Sequence, residues 1–267
     1  MAFREHLDEA VYFTTVDPVS EMRELCLAHP GKTIVFSQVE GAPGHRAAMN
    51  ICMRHNLAAN FDIPESEVID VLGWAMENRS EPVSVVGDAA VLENSITPVD
   101  LYQLPIPHHW PEDRGRYMSA SIIIAEWGGN RNVSYHRQFV RDASHVVARL
   151  VPRHLRTMVD ESRAAGEPLT IAIVNGADPC VLLAAAMSFN EPIDELTVAA
   201  ALHERLYGRP LELVRLPNGI EVPADAEYAM EATITLSDDD EGPYVDITGT
   251  VDDVRQQPVI EVQAIFS

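Results

Sequence analysis

Two carboxylates, Glu241 and Asp246, flank the tetrapeptide Gly242-Pro243-Tyr244-Val245. Glycine and proline fix a turn at such a spot, so the spacing predicts two acids held near one another at a bend. In that geometry one carboxylate can pair with a cation while the other moves a proton. The same residues also read as a solvated acidic hairpin tip, because turns favour these residue types whatever their function. A candidate cation lies far upstream. Gly128-Gly129 leads into Asn130-Arg131-Asn132-Val133-Ser134-Tyr135-His136-Arg137, a turn and then a strand with Val133, Tyr135 and Arg137 on one face. An arginine facing the same way as apolar neighbours needs a carboxylate or phosphate partner.

The elements that must position these residues emerge from periodicity and punctuation. Around the acids, residues 231–236 read as a strand, Asp238-Asp239-Asp240 as a break, and 244–250 as a second strand. Upstream, short helices are expected over Phe3 to Ala10 and Glu21 to Ala28, and a buried strand over 33–36. Asp62-Ile63-Pro64-Glu65 has the form of a capping box ahead of a helix reaching Asn78. Residues 81–118 are proline-rich and irregular. Strands come next at 121–125, 146–151 and 169–174, with a helix from Pro152-Arg153-His154 to Ala165 between the last two. Asp178-Pro179 predicts an N-cap with proline at the first helical position, opening an apolar helix that reaches Met187. Another helix starts at Asp194-Glu195 and ends before Gly208, and strands at 211–216, 228–236, 244–250 and 259–266 complete the chain. Helices inserted among β elements predict an α+β fold, an N-terminal α/β domain over 1–105 and a β-barrel-like domain over 106–267.

Composition excludes several classes of function. Forty-one acids stand against 19 bases, giving a net charge of −22, with Lys32 the one lysine. Such a surface repels phosphates, so neither nucleic acid nor an anionic membrane is an expected partner. Cys26, Cys52 and Cys180 have no metal or redox spacing, and Cys180 lies in an apolar run as a buried thiol. The N-terminus lacks the pattern of a signal peptide, no apolar run is long enough to span a bilayer, and a cytoplasmic location is expected. His108 and His109 are adjacent, point opposite ways in an extended chain, and lack a spaced third ligand.

Taken together, an ordered set of segments resembles the UbiD-type decarboxylases that use prenylated FMN: DLYQLPIP, DRGRYMSAS, NRNVSYHRQFV, VPRHL, IVNGADPCVLLAAA, IDELTVAAAL, VPADAEYAMEA and EGPYVDITG. The resemblance implies a split β-barrel flavin-binding domain with inserted helices. It places the family's Asn-x4-Arg on Asn132 and Arg137, its metal ligands on Asn132, His154 and Glu195, and its catalytic trio on Glu241, Arg137 and Asp246. Cofactor contacts are implied for Asn132, Ser134, Arg137, Arg153, His154, Ala186, Met187 and Glu195. The metal is Mn2+ or another divalent cation, with K+ nearby. Oxygen and imidazole ligands suit such ions. Glu195 at a helix start has a plainer alternative, an acid complementing the helix dipole.

The implied activity is non-oxidative decarboxylation, reversible in principle, of an α,β-unsaturated or aromatic carboxylic acid. Arg137 would hold the substrate carboxylate, Glu241 would orient Arg137, and Asp246, with a raised pKa, would deliver the proton. Val245 departs from the family's usual glycine, and Asp246 replaces the commoner glutamate. The family also continues into a further α/β domain supplying a phosphate-binding lysine, one pocket wall and much of the dimer contact. A fragment, one subunit of a split enzyme, or a reduced form are the alternatives this opens, with a second subunit and a homo- or hetero-oligomer as expected partners. The segment PYVDITGTVDDVRQQPVIEV most resembles an archaeal-type branch that includes anhydromevalonate phosphate decarboxylases. The rival reading is a non-catalytic flavin-binding or accessory subunit that needs a partner chain to complete its site.

Overall fold

Ile122-Ile123-Ile124-Ala125 and Ile171-Ala172-Ile173-Val174 run side by side and antiparallel, with Ile171 opposite Ala125 and Val174 opposite Ile122. All eight residues are fully buried, because helices pack on both faces of the curved sheet. Ile122, Ile124, Ala172 and Val174 face one core, and Ile123, Ala125, Ile171 and Ile173 face a second. This computed structural model describes Arg4, Leu7 and residues 10–267 apart from Asp88.

In chain order the elements are β1 (Val11–Val16), α1 (Glu21–Ala28), β2 (Ile34–Val39), β3 (Ala47–Met49), α2 (Arg54–Phe61), α3 (Val68–Glu77), β4 (Val83–Val85), β5 (Ser95–Ile96), β6 (Tyr117–Met118), β7 (Ile122–Trp127), β8 (Asn130–Tyr135) and β9 (Gln138–Val140). Then come β10 (His145–Ala148), α4 (His154–Ala164), β11 (Leu169–Asn175), α5 (Pro179–Ala185), α6 (Glu195–Tyr207), β12 (Glu212–Arg215), β13 (Glu221–Pro223), β14 (Tyr228–Glu241), β15 (Tyr244–Val245), β16 (Val251–Asp252) and β17 (Arg255–Phe266). Among the described residues the main sheet has nine strands in the order β6-β9-β10-β17-β14-β11-β7-β8, with β5 beside β17. Its ends, β6 and β8, do not pair with each other, so the sheet is an open half-barrel. The α+β expectation holds.

The two cores are built differently. One is filled by α5 and α6 and by side chains from Leu57 to Val91, which lie before residue 105. The other is filled by Leu155, Met158 and Val159 of α4 against the inner faces of β14 and β17. A smaller cluster joins β1, α1 and β2, where β1 and β2 pair in parallel. No helix among the described residues is long and apolar enough to cross a membrane.

Several expectations are corrected. Asp238, Asp239 and Asp240 do not break the strand: β14 runs through them, opposite Pro258, Gln257 and Gln256 of β17. Each acid has its own partner, Arg163 for Asp238, Arg141 for Asp239 and the Gln256 amide for Asp240, which offsets their poor strand propensity. A register shift between Ile234 and Asp238 absorbs the extra residues as a bulge. The strand expected over 244–250 stops at Val245, and 246–250 form a turn. Asp62 is not a helix N-cap but the left-handed C-cap of α2 (φ 52°), a conformation Asp tolerates. The helix expected over Phe3 to Ala10 falls on a stretch where only Arg4, Leu7 and Ala10 are described.

Candidate active site

Side chains alternate along β8 and the residues that continue it. Val133 and Tyr135 join the core under α5 and α6, while Asn132, Ser134 and His136 share the opposite face. Arg137 sits just beyond the strand end, where the chain turns into β9. Its guanidinium donates from Nε to Glu241 Oε1 at 2.8 Å and from Nη2 to Glu241 Oε2 at 2.9 Å, a bidentate pair. Nη1 donates to Asp252 Oδ2 at 2.7 Å, and the Tyr244 ring lies under the guanidinium, 4.4 Å from its centroid. Glu241 is fully buried, and Glu241 and Asp252 together raise the Arg137 pKa above its ordinary value against the opposing effect of burial.

The turn after Glu241 is held from a distant segment. Gly242 adopts φ +90°, and a Cβ there would lie 3.0 Å from the Asp253 carbonyl oxygen, so only glycine fits. Its N–H donates to the Tyr117 hydroxyl, the Arg114 N–H to the Pro243 carbonyl, and the Val245 N–H to the buried Asp113 carboxylate at 2.8 Å. Asp246, by contrast, is not brought to Arg137 by any hydrogen bond. Its Oδ1 accepts from the Thr248 hydroxyl at 2.6 Å and from the N–H groups of Thr248 and Thr250, closing the exposed turn. The Thr248 hydroxyl is the main reason its pKa is lowered. The expected raised pKa is therefore corrected: this carboxylate is stabilised as the anion. The second carboxylate bonded to the arginine is Asp252, which the sequence reading did not single out.

A second cluster lies at the free edge of the sheet. Glu195, the first residue of α6, accepts from Asn132 Nδ2 at 3.0 Å and from the Val133 N–H at 2.7 Å, satisfying an edge donor of β8. Ser134 Oγ donates to Asn132 Oδ1 at 2.8 Å and lies 2.9 Å from His136 Nε2, and His136 Nδ1 reaches the Arg149 carbonyl. Burial, opposed only by neutral donors, pushes the Glu195 pKa up to about 7. Burial also pushes His136 down to about 4. Arg131 braces this corner through Glu126, Asp194 and Glu221, and Asp194 caps α6 at the Leu196 N–H.

His154 makes no hydrogen bond or ion pair to Asn132 or Glu195, so two of the three expected metal ligands meet in the structure. It opens α4, whose N-cap residue Arg153 makes no side-chain cap. Arg153 instead donates to Ser188 Oγ, beside Ala186 and Met187 at the end of α5. Helices α4, α5 and α6 each pack against β8. Two features fit an anionic cofactor with a cation: a helix start without a side-chain cap beside an arginine, and a buried carboxylate with no positive partner among the described residues. Cavities of about 570 Å³ and 490 Å³ lie at the Asp194 corner, sharing Pro192 and Asp194, and neither is lined by Arg137 or Glu241.

The residues around the Arg137–Glu241 pair that sequence reasoning missed are Asp252, Tyr117, Asp113 and Tyr244. For the last three the one available signal was the aromatic and acidic content of the DRGRYMSAS and EGPYVDITG segments, which the structure straps together.

Comparison with known proteins agrees with this architecture. The model of the family described as "3-octaprenyl-4-hydroxybenzoate carboxy-lyase Rift-related domain" matches residues 83–267. The chain belongs to the UbiD family. It is 35% identical over 255 residues to the anhydromevalonate phosphate decarboxylase of Methanosarcina mazei, covering 94% of this chain and 57% of that protein. The enzyme of that name from Methanocaldococcus jannaschii is 32% identical over 242 residues, covering 89% and 55%. The chain thus spans little more than half the length of these relatives. The UbiD-class enzyme HmfF of Pelotomaculum thermopropionicum, in an evolved dimeric form in complex with prFMN, superposes with a TM-score of 0.93 at 32% identity, covering 99% of this chain and 64% of that one.

Proposed function

We propose that this chain is the prenylated-FMN-binding part of a non-oxidative decarboxylase that acts on an α,β-unsaturated or aromatic carboxylic acid. The observation that carries the reading is the buried bidentate pair of Arg137 and Glu241, which leaves one end of the guanidinium directed away from Glu241. Arg137 holds the substrate carboxylate there, and Glu241 keeps the guanidinium in plane for it. The full burial of Glu241 and the Tyr244 face under the guanidinium shield the Arg137–Glu241 pair from water and strengthen it. Asp246 is the proposed proton carrier, and in that role it exchanges the Thr248 and Thr250 donors for the side facing Arg137.

Prenylated FMN, when bound, supplies the electron sink for loss of CO2. Its phosphate and a divalent cation, Mn2+ by family resemblance, would be held by Asn132, His154 and Glu195, with Arg153, Ser134 and the Ala186–Met187 backbone beside them. K+ is proposed as a further ion without an assigned residue. A partner subunit or domain completing the pocket is part of the proposal.

The test is to load the chain with prenylated FMN and Mn2+, remove excess by gel filtration, and assay CO2 release from a panel of unsaturated and aromatic acids, with and without a complementing partner domain. Retained flavin with Arg137-dependent CO2 release supports the reading. Failure to retain flavin, or CO2 release that survives Arg137→Ala, defeats it.

A further inference from the structure

Arg137 has five N–H groups, and Glu241 uses one on Nε and one on Nη2. The fork that remains, shared between Nη1 and Nη2, is where an incoming carboxylate would bind. In the structure Nη1 already holds a carboxylate, that of Asp252, at 2.7 Å. The Asp252 side chain is 32% exposed and that of Arg137 is 12% exposed, so this bond lies on the solvent side of the buried pair. Among the described residues, Arg137 is the one side-chain partner of Asp252.

The strand that carries Asp252 lies outside the main sheet. Residues 244–252 form a small hairpin paired only through Tyr244 with Asp252 and Val245 with Val251, and this ladder is not joined to the nine-stranded sheet. Its turn is closed internally by Asp246, and Val245 hangs from Asp113. Glu241, by contrast, belongs to the long strand β14. Of the two acids on the arginine, one lies buried on a strand of the main sheet and the other lies, partly exposed, on a two-residue strand outside it.

Charge favours exchange over addition. Glu241 alone neutralises Arg137, and Asp252 makes the group net negative. Adding a substrate carboxylate to that arrangement would place three anions around one cation, a repulsive combination in a half-buried place. Replacing Asp252 by the substrate carboxylate leaves the charge unchanged. We propose that Asp252 is a displaceable, built-in occupant of the carboxylate subsite on Arg137, so that acids bind by taking its place and Asp252 sets the affinity threshold for them. The proposal rests on the reading that Arg137 receives the substrate carboxylate.

Benzoate is a suitable probe, titrated calorimetrically into the 267-residue chain without flavin. Asp252→Asn should bind benzoate about tenfold more tightly than the unaltered chain, Asp252→Glu should bind it as weakly as the unaltered chain, and the gain should vanish in Asp252→Asn combined with Arg137→Ala. A merely structural role for Asp252 would not be restored by glutamate and would not make the gain depend on Arg137. Equal or weaker binding by Asp252→Asn, no measurable binding, or a gain that persists without Arg137 overturns the proposal. Should Asp252→Asn fail to fold by circular dichroism, Asp252→Ser serves the same comparison. The assay involves no turnover, so failure of the decarboxylase reading appears separately, as CO2 release that survives Arg137→Ala in the flavin-loaded assembly.

Discussion

Glu241 accepts two hydrogen bonds from Arg137, at 2.8 and 2.9 Å, while itself being wholly removed from solvent. The two residues lie 104 positions apart, and their pairing ties the end of β8 to the end of β14. Breaking a buried pair from one side strands the other charge and typically costs about 3–5 kcal/mol. Arg137→Met and Glu241→Leu should each destabilise the chain on that scale, and the double variant should cost clearly less than the two combined. Urea unfolding of the four proteins measures this, and additive losses would show that the pair does not act as a unit.

Gly242 is required by its backbone and by its neighbour. Gly242→Ala places a Cβ at a left-handed φ, against the Asp253 carbonyl. The loss should be about 2 kcal/mol or more, with weaker benzoate binding as Glu241 shifts. Gly249, also at positive φ (+80°) but with open space around it, should lose less on the same substitution in the same unfolding assay.

The proposed divalent site makes a separate prediction. Asn132→Ala, Glu195→Gln and His154→Ala should each lower Mn2+ affinity about 10- to 100-fold in the flavin-loaded protein, measured by equilibrium dialysis with metal analysis. Full retention in His154→Ala would confine the site to Asn132 and Glu195, the two that already touch.

How much of this was legible depended on range along the chain. The Asp178 cap with Pro179, the Asp194 cap and the Gly208 stop of α6 are local features, and each lies where the sequence placed it. The strand through Asp238 to Asp240 was hidden because Arg163 and Arg141, which balance two of those acids, lie 75 and 98 residues away. Asp252 was hidden for the same reason. Asp252-Asp253 reads as a solvated turn until folding brings Arg137, 115 positions upstream, beside it. Helix α2, with Arg54, His55, Asn56 and Asn60 among its eight residues, shows almost no apolar periodicity and went unread. The Asn132–Glu195 pair came from family resemblance; spacing alone favours Glu195 as an acid complementing the helix dipole.

Asp246 offers a test in which shape and acidity separate. Asp246→Asn keeps an oxygen for the Thr248 and Thr250 donors, so the turn should survive and flavin binding with it. If Asp246 carries the proton, turnover in the complete assembly should fall by about two to four orders of magnitude. Near-normal turnover would return it to the role the structure displays, a turn-closing acid.

The last prediction concerns two buried groups joined through Asn132 and Ser134, whose titrations oppose each other. His136 is pushed from 6.5 down to about 4, so between those values the unfolded chain binds a proton that the folded chain refuses. Stability from His136 is therefore complete above pH 6.5 and is lost as pH falls towards 4. Glu195 is pushed from 4.5 up to about 7, so the folded chain holds a proton that the unfolded chain has released. Its contribution is complete below pH 4.5 and is lost as pH rises towards 7. Each effect amounts to about 3 kcal/mol at most, and in the metal-free chain they nearly cancel between pH 4.5 and 6.5. Glu195→Gln should expose the His136 slope, with stability falling as the solution is acidified. His136→Gln should expose the Glu195 slope, with stability rising over the same interval. Urea midpoints at about four pH values between roughly 4.5 and 7.5 give both curves. Parallel curves for the two variants would mean that these groups do not titrate as their burial requires.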